Sequence, residues 1–112
     1  MKYSDEQRIS KISELVEKLN SYISAECITR EKVSSDETIR WTITTPLYNI
    51  GEHAYNLSKA FKEKNSDIPW KKISGLRHRL VHDYEDTNWD IVNDIIFDVI
   101  PEFQEQLKDI NK

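Results

Sequence analysis

Only two glycines and three prolines interrupt the 112 residues of this chain. That shortage of turn residues argues against an all-β sandwich or barrel, which needs a turn signal every ten residues or so, about eight to twelve. There is one cysteine, Cys27, so no intrachain disulfide can form, and a reducing compartment is expected. No apolar run approaches the roughly eighteen residues of a membrane span. The opening Met1-Lys2-Tyr3-Ser4-Asp5-Glu6 is followed by no apolar core of a signal peptide, so a cytoplasmic location is expected. Hydrophobic residues make up 38 % of the chain, below the usual apolar share. A helical protein tolerates this, because each helix buries only one stripe. The length suits one domain spanning residues 1–112, and the fold expected is an all-α, up-and-down bundle of four to five helices.

Charge excludes some functions and hints at others. The net charge is −4, which does not suit a general coat for nucleic acid. Locally the balance differs: Lys71, Lys72, Arg77, His78, Arg79 and His82 follow one another without an acidic residue among them, and Asp83, Glu85, Asp86, Asp90, Asp94 and Asp98 come next. By itself this reads equally well as a solvated helix face followed by an acidic helix start.

Hydrophobic spacing sets the organisation. Ser4 with Gln7 forms a capping-box pattern, and Ile9, Ile12, Val16, Leu19 and Ile23 make one stripe of a first helix that should fray past Cys27. Ser34 or Ser35 should cap a second helix carrying Ile39, Ile43, Leu47, Ile50, Ala54, Leu57 and Phe61, kinked at Pro46. Pro69 suits the first turn of a third helix over Trp70 to Tyr84. Thr87 with Asp90 should open a last helix with Ile91, Ile95, Val99, Phe103, Leu107 and Ile110 on one stripe, and a kink or break is expected at Pro101. No internal repeat or low-complexity segment is present.

The chemistry concentrates on the third helix. At about 100° per residue, Ile73, Leu76, Leu80, Val81 and Tyr84 share a side, with Arg77 pointing out through the middle of it. An arginine there either pairs with a carboxylate, Glu52 being the obvious one, or lines a cleft where its planar fork meets a phosphate. His78 and His82 stand four apart, a spacing that can share a metal. Yet His-Arg-Leu-Val-His has Arg79 where the zinc-protease pattern needs its glutamate, so no metal site and no cofactor are expected. His82 reads either as a surface or interface residue or as a general acid or base. Tyr84, taken alone, is a core or interface aromatic.

Arg77, four residues, then His82-Asp83-Tyr84 resembles the R-x4-H-x-Y signature of the HepT-like proteins of the HEPN superfamily. Ile50-Gly51-Glu52-His53-Ala54 with Asn56-Leu57-Ser58 is similar to the family's Gly-Glu-x-Ala helix, and Ile68-Pro69-Trp70 through Gly75-Leu76-Arg77 to its entry into the signature helix. Trp89 and Pro101 also fall where the family tends to place them. His78 stands where asparagine is common, and Pro46 with the bulky run Trp41 to Thr45 departs from the pattern.

The resemblance implies a metal-independent ribonuclease toxin of a type II toxin–antitoxin pair. In it Arg77 and His82 are catalytic, His78 and Glu52 support them, and Lys71, Lys72 and Arg79 contact RNA. It further implies a homodimer with the site in its cleft and the acidic helix away from it. The expected partner is a minimal nucleotidyltransferase antitoxin, with Tyr84 as acceptor of an adenylyl group (O-AMP-tyrosine) and a hetero-oligomer as one form of the pair. The other reading is a catalytically silent helical dimer that docks or regulates a nucleotidyltransferase.

Overall fold

Ser4 opens the first helix, α1 (Asp5–Ala25), through the capping box: Gln7 N–H donates to Ser4 Oγ at 3.1 Å, and Ser4 N–H donates to Gln7 Oε1 at 2.8 Å. The computed structural model describes residues 2–81 and 87–110. After α1 come α2 (Arg30–Ser35), α3 (Glu37–Tyr55), α4 (Lys59–Lys64), α5 (Trp70–Val81) and α6 (Trp89–Asp94). A π-helical turn over Ile95–Val99 then leads into α7 (Ile100–Ile110), and all elements of the described residues are helical.

Helix ends depart most from expectation. α1 does not continue past Cys27; it stops at Ala25, and Cys27 takes φ 50. Ile28 N–H donates to Ile23 O at 2.9 Å and Cys27 N–H to Ser24 O at 3.2 Å. Those two bonds are a Schellman stop, with cysteine where glycine usually sits. The turn frees Thr29 to cap α2, a helix the spacing did not suggest, and α2 buries Val33. Asp36, not Ser34 or Ser35, caps α3, accepting from the N–H groups of Thr38 and Ile39. One helix was expected to carry both Leu57 and Phe61, but α3 ends at Tyr55. Ser58 starts α4 afresh, its hydroxyl accepting from Phe61 N–H. Asp5 ties this junction to α1 by accepting from both Ser58 N–H and Ser58 Oγ–H.

The C-terminal segment also departs from expectation. Asn88, rather than Thr87, caps α6, and the Thr87 hydroxyl donates to Arg79 O at the end of α5. Pro101 has no N–H to offer the carbonyl four residues back, and the ladder widens just upstream, where Ile100 N–H donates to Ile95 O. Of the expected stripe Ile95, Phe103 and Leu107 are buried, whereas Ile91, Val99 and Ile110 are half-buried, and Val92, Ile96 and Ile100 are buried beside it. Pro46, in contrast, lies within α3 without dividing it.

α3 is the central helix, packed on α1, α2 and α5, and α1 also meets α7. Ile43, Leu47, Ile50 and Ala54 of α3 are buried against Ile12 and Val16 of α1 and Ile73 and Leu76 of α5. Trp70 closes the end of the core between Phe61 and Phe103, with ring centres 6.0 and 5.7 Å away. The decisive contact for the site is at Gly51. A Cβ there would lie 2.6 Å from the backbone nitrogen of Arg77, so only glycine lets α5 come this close to α3. No described helix is long and apolar enough to cross a membrane.

Candidate active site

The close approach at Gly51 sets the next residue of α3, Glu52, beside Arg77 of α5. Arg77 Nε donates to Glu52 Oε2 at 2.6 Å. The arginine is therefore paired as the first of its two sequence readings requires. It is not deeply buried, however: its side chain keeps 36 % of its surface and that of Glu52 33 %. Two other groups hold the carboxylate: Asn56 Nδ2 donates to Oε1 at 3.2 Å and Tyr48 OH to Oε2 at 3.4 Å. The hydrogen bond from Arg77 is the main cause holding the Glu52 carboxyl below the usual carboxylate range, against an opposing push from burial. The guanidinium lies over the Tyr55 ring, 4.3 Å from its centre. No described residue bonds its Nη1 or Nη2, the two nitrogens with which an arginine fork meets an anion.

The remaining basic residues line the exposed side of α5. Ile73, Leu76 and Leu80 face the core, while Lys71, Lys72, His78 and Arg79 are exposed. An open groove of about 730 Å³ runs past Tyr55, Pro69, Gly75, Arg77 and His78, with Lys71, Lys72 and Arg79 along it. Lys71, Lys72 and Arg79 also border a second groove, whose far wall is Asp94 and Asp98. The acidic segment is thus not remote from the basic one, because α6 and the π turn lie along the other flank of α5. Arg30 of α2 offsets these carboxylates, donating to Asp94 at 2.7 Å and to Asp98 at 2.8 Å.

His82 and Tyr84 lie outside the described residues, so neither is placed relative to Arg77. The sequence reading missed Tyr48, Tyr55 and Asn56. Their signal was present: with Glu52 they sit at helical spacings of four, three and four, so they share the end of one α3 face. His53, one residue on, turns toward α1. Its Nδ1 accepts from Arg8 at 3.2 Å and its ring meets Tyr3 edge-on. Burial, then the charges of Arg8 and Lys11, lower its pKa. No group of three metal-ligand side chains occurs among the described residues.

The model of the family described as "Ribonuclease HepT-like" matches residues 7–110. The chain belongs to the HepT-like ribonuclease family. Its enzyme class is thereby ribonuclease, as the resemblance implied. A provisionally named RNase of Caldanaerobacter subterraneus subsp. tengcongensis is 39 % identical over 83 residues, covering 74 % of each chain. One from Methanocaldococcus jannaschii is 32 % identical over 87 residues, covering 74 % of this chain and 72 % of the relative. A protein of Thermococcus cleftensis, provisionally named ribonuclease HepT, is 27 % identical over 84 residues, covering 75 % of this chain and 74 % of its own. No solved structure gives a significant match. Within the HepT-like frame, the Gly51-Glu52 pair and Arg77 are the residues that the structure brings together.

Proposed function

We propose that this HepT-like ribonuclease cleaves RNA without a metal, using Arg77 and His82. RNA carries its own nucleophile, the 2′-hydroxyl. In this reading His82 takes its proton, the oxygen attacks the adjacent phosphorus, and the 5′-oxygen leaves with a proton returned to it. Arg77 stabilises the charge of the phosphorane. The observation that carries the reading is how Arg77 is held: Nε fixed by Glu52, one face on Tyr55, and the outer nitrogens without a described partner. A cation fixed before the substrate arrives needs little reorganisation as charge develops. Lys71, Lys72 and Arg79 on the same helix supply the phosphate contacts that a net acidic protein needs locally. His78 borders the groove as a supporting polar group.

The biological setting proposed is a type II toxin. Two copies form a symmetric dimer whose signature helices face one cleft, doubling the basic charge there. A minimal nucleotidyltransferase antitoxin neutralises it, by adenylylation of Tyr84 or by assembly into a hetero-oligomer. AMP on that tyrosine adds negative charge and bulk to the signature segment. The ion pair at 2.6 Å also favours a second reading, in which Arg77 is purely structural and the chain is a silent docking subunit of the nucleotidyltransferase.

Cleavage of transfer RNA and a generic single strand in excess EDTA separates the two. The nuclease reading expects cleavage by the wild type, loss in His82→Ala and Arg77→Ala, and melting curves close to wild type. Loss of folding in Arg77→Ala, or no cleavage by unmodified wild type of verified intact mass, favours the docking subunit. Intact mass after co-expression with the nucleotidyltransferase tests the adenylyl adduct on Tyr84.

A further inference from the structure

Among the described residues three large apolar side chains stand exposed, Tyr3, Trp41 and Tyr55, and of these Tyr55 touches Arg77. Tyr55 keeps 54 % of its surface although it ends a core helix. Leaving a large ring in water gains nothing for the fold, so its environment suggests its use. The ring lines the groove that also takes in Arg77, Pro69, Gly75 and His78. A Cβ on Gly75 would meet nothing within 4 Å, so the α5 wall is open there. The residue is anchored at its backbone too, for Lys62 Nζ donates to Tyr55 O at 3.1 Å. The groove therefore offers the part of the Tyr55 ring left exposed by Arg77 and by Lys62, whose Nζ lies 6.0 Å from the ring centre, and its lining carries the cations Lys71, Lys72 and Arg79.

Those features match the two parts of a nucleotide in the right order. The anionic phosphate suits the outer edge of the Arg77 fork, and a flat, weakly polar base suits an aromatic ring within reach of that fork. We infer that Tyr55 is the stacking platform for the nucleobase next to the phosphate held by Arg77. This rests on the ribonuclease reading above. It adds a specificity-determining residue, because a base inside a duplex has both faces covered and cannot stack on a protein ring. Stacking discriminates poorly among bases, so Tyr55 selects for strandedness more than for sequence.

The test uses a single-stranded 2′-O-methyl RNA, which keeps every base and phosphate but lacks the nucleophile. Single abasic positions are scanned along it. Tyr55→Leu is expected to weaken binding of the intact strand about 5- to 100-fold, the range that one stacked base contributes. At one position the abasic strand should bind wild type more weakly by a similar factor, and Tyr55→Leu should add no further loss. Tyr55→Phe should restore binding of the intact strand. If Tyr55→Leu weakens intact and abasic strands equally, the ring serves only to hold Arg77 and the inference fails. It fails as well if Tyr55→Leu binds like wild type, or if the variant changes the oligomeric mass in sedimentation, which assigns the surface to an interface between copies. If wild type neither binds nor cleaves any RNA, the ribonuclease reading fails with it. Cleavage by wild type alongside an unaffected Tyr55→Leu removes the stacking inference alone.

Discussion

Replacing Gly51 by alanine tests the contact that builds the site. The added Cβ would sit 2.6 Å from Arg77 N, 3.1 Å from Leu76 Cβ and 3.2 Å from Ile73 O. Two of those three atoms are backbone and cannot rotate aside, so α5 itself must move outward. Overpacking of this kind costs about 1–3 kcal/mol. Alanine also has the better helix propensity, which returns up to about 1 kcal/mol. Subtracting the full return leaves a net loss of roughly 0–2 kcal/mol, or up to about 16 °C in melting temperature for a chain of this size, against the gain expected of an unhindered Gly→Ala change. Gly75→Ala is the matched control. It is also mid-helix, but its Cβ would meet nothing within 4 Å, so it keeps only the propensity gain and stabilises by about 0.5–1 kcal/mol. Urea unfolding of both variants measures the signs, and steady-state RNA cleavage measures the consequence for the site. Gly51→Ala should lose more activity than its residual folded fraction explains, because the shift separates Glu52 from Arg77 across a 2.6 Å bond. A Gly51→Ala protein stabilised as much as Gly75→Ala would refute the close approach of α3 and α5, and the account of the site with it.

Three further perturbations address separate parts of the molecule. If Arg77 stabilises the transition state as proposed, Glu52→Gln should lower kcat about tenfold or more with little change in KM, and Glu52→Ala should be worse; equal losses in KM would assign Glu52 to binding instead. Cys27→Gly should stabilise by about 0.5–1 kcal/mol in urea unfolding, because φ 50 strains any residue with a Cβ, whereas Cys27→Ala should give no such gain. His53 has its pKa lowered by burial and by Arg8 and Lys11, so the fold favours the neutral ring. Its contribution to stability is complete above the unfolded value of about 6.5 and is lost as pH falls through the folded one. The melting temperature should therefore fall on acidification from pH 7 to 5, less steeply in His53→Gln, and a ring seen by NMR to titrate at or above the unfolded value would contradict this.

The helices themselves were legible because their stripes are long and regular; Ile9, Ile12, Val16 and Leu19 are buried as their spacing requires. Their ends were less so, each for a local reason. A Schellman stop is normally announced by glycine, and here Cys27 adopts the left-handed turn, so nothing marked the end of α1 or the start of α2. Serines at 34 and 35 obscured Asp36, whose carboxylate is the better acceptor for the free N–H groups of α3. A π turn has no signature in a period of 3.6, so the one before Pro101 was not visible, and around it Val92, Ile96 and Ile100 are buried as well as the expected Ile95, Phe103 and Leu107. At the site, the pairing of Glu52 with Arg77 was visible, since an arginine on an apolar face needs a carboxylate. Tyr55 was legible only as a helical neighbour of Glu52; its contact with Arg77 was not, because nothing in a sequence tells an exposed tyrosine at a helix end from one that stacks on an arginine in the next helix.

The two readings of Arg77 drawn from the sequence, ion pair or phosphate clamp, are compatible in the geometry found. A guanidinium has five N–H bonds in one plane. Glu52 takes the one at Nε, and among the described residues none bonds the two terminal nitrogens, which the proposed reaction uses for a phosphate. A single carboxylate at Nε lowers the cost of holding the cation half-buried, and in the proposed reaction it fixes the plane in which the guanidinium meets a phosphate. Replacement of Arg77 by lysine distinguishes this shared role from a simple charge. Lysine can pair with Glu52 or reach a phosphate, but one ammonium cannot hold both in fixed directions. Arg77→Lys should therefore fold like wild type, keep most of its affinity for RNA, and lose cleavage nearly as fully as Arg77→Ala. Retained cleavage would mean that a positive charge near the groove is enough, and that the orientation set by Glu52 and Tyr55 has no part in the reaction.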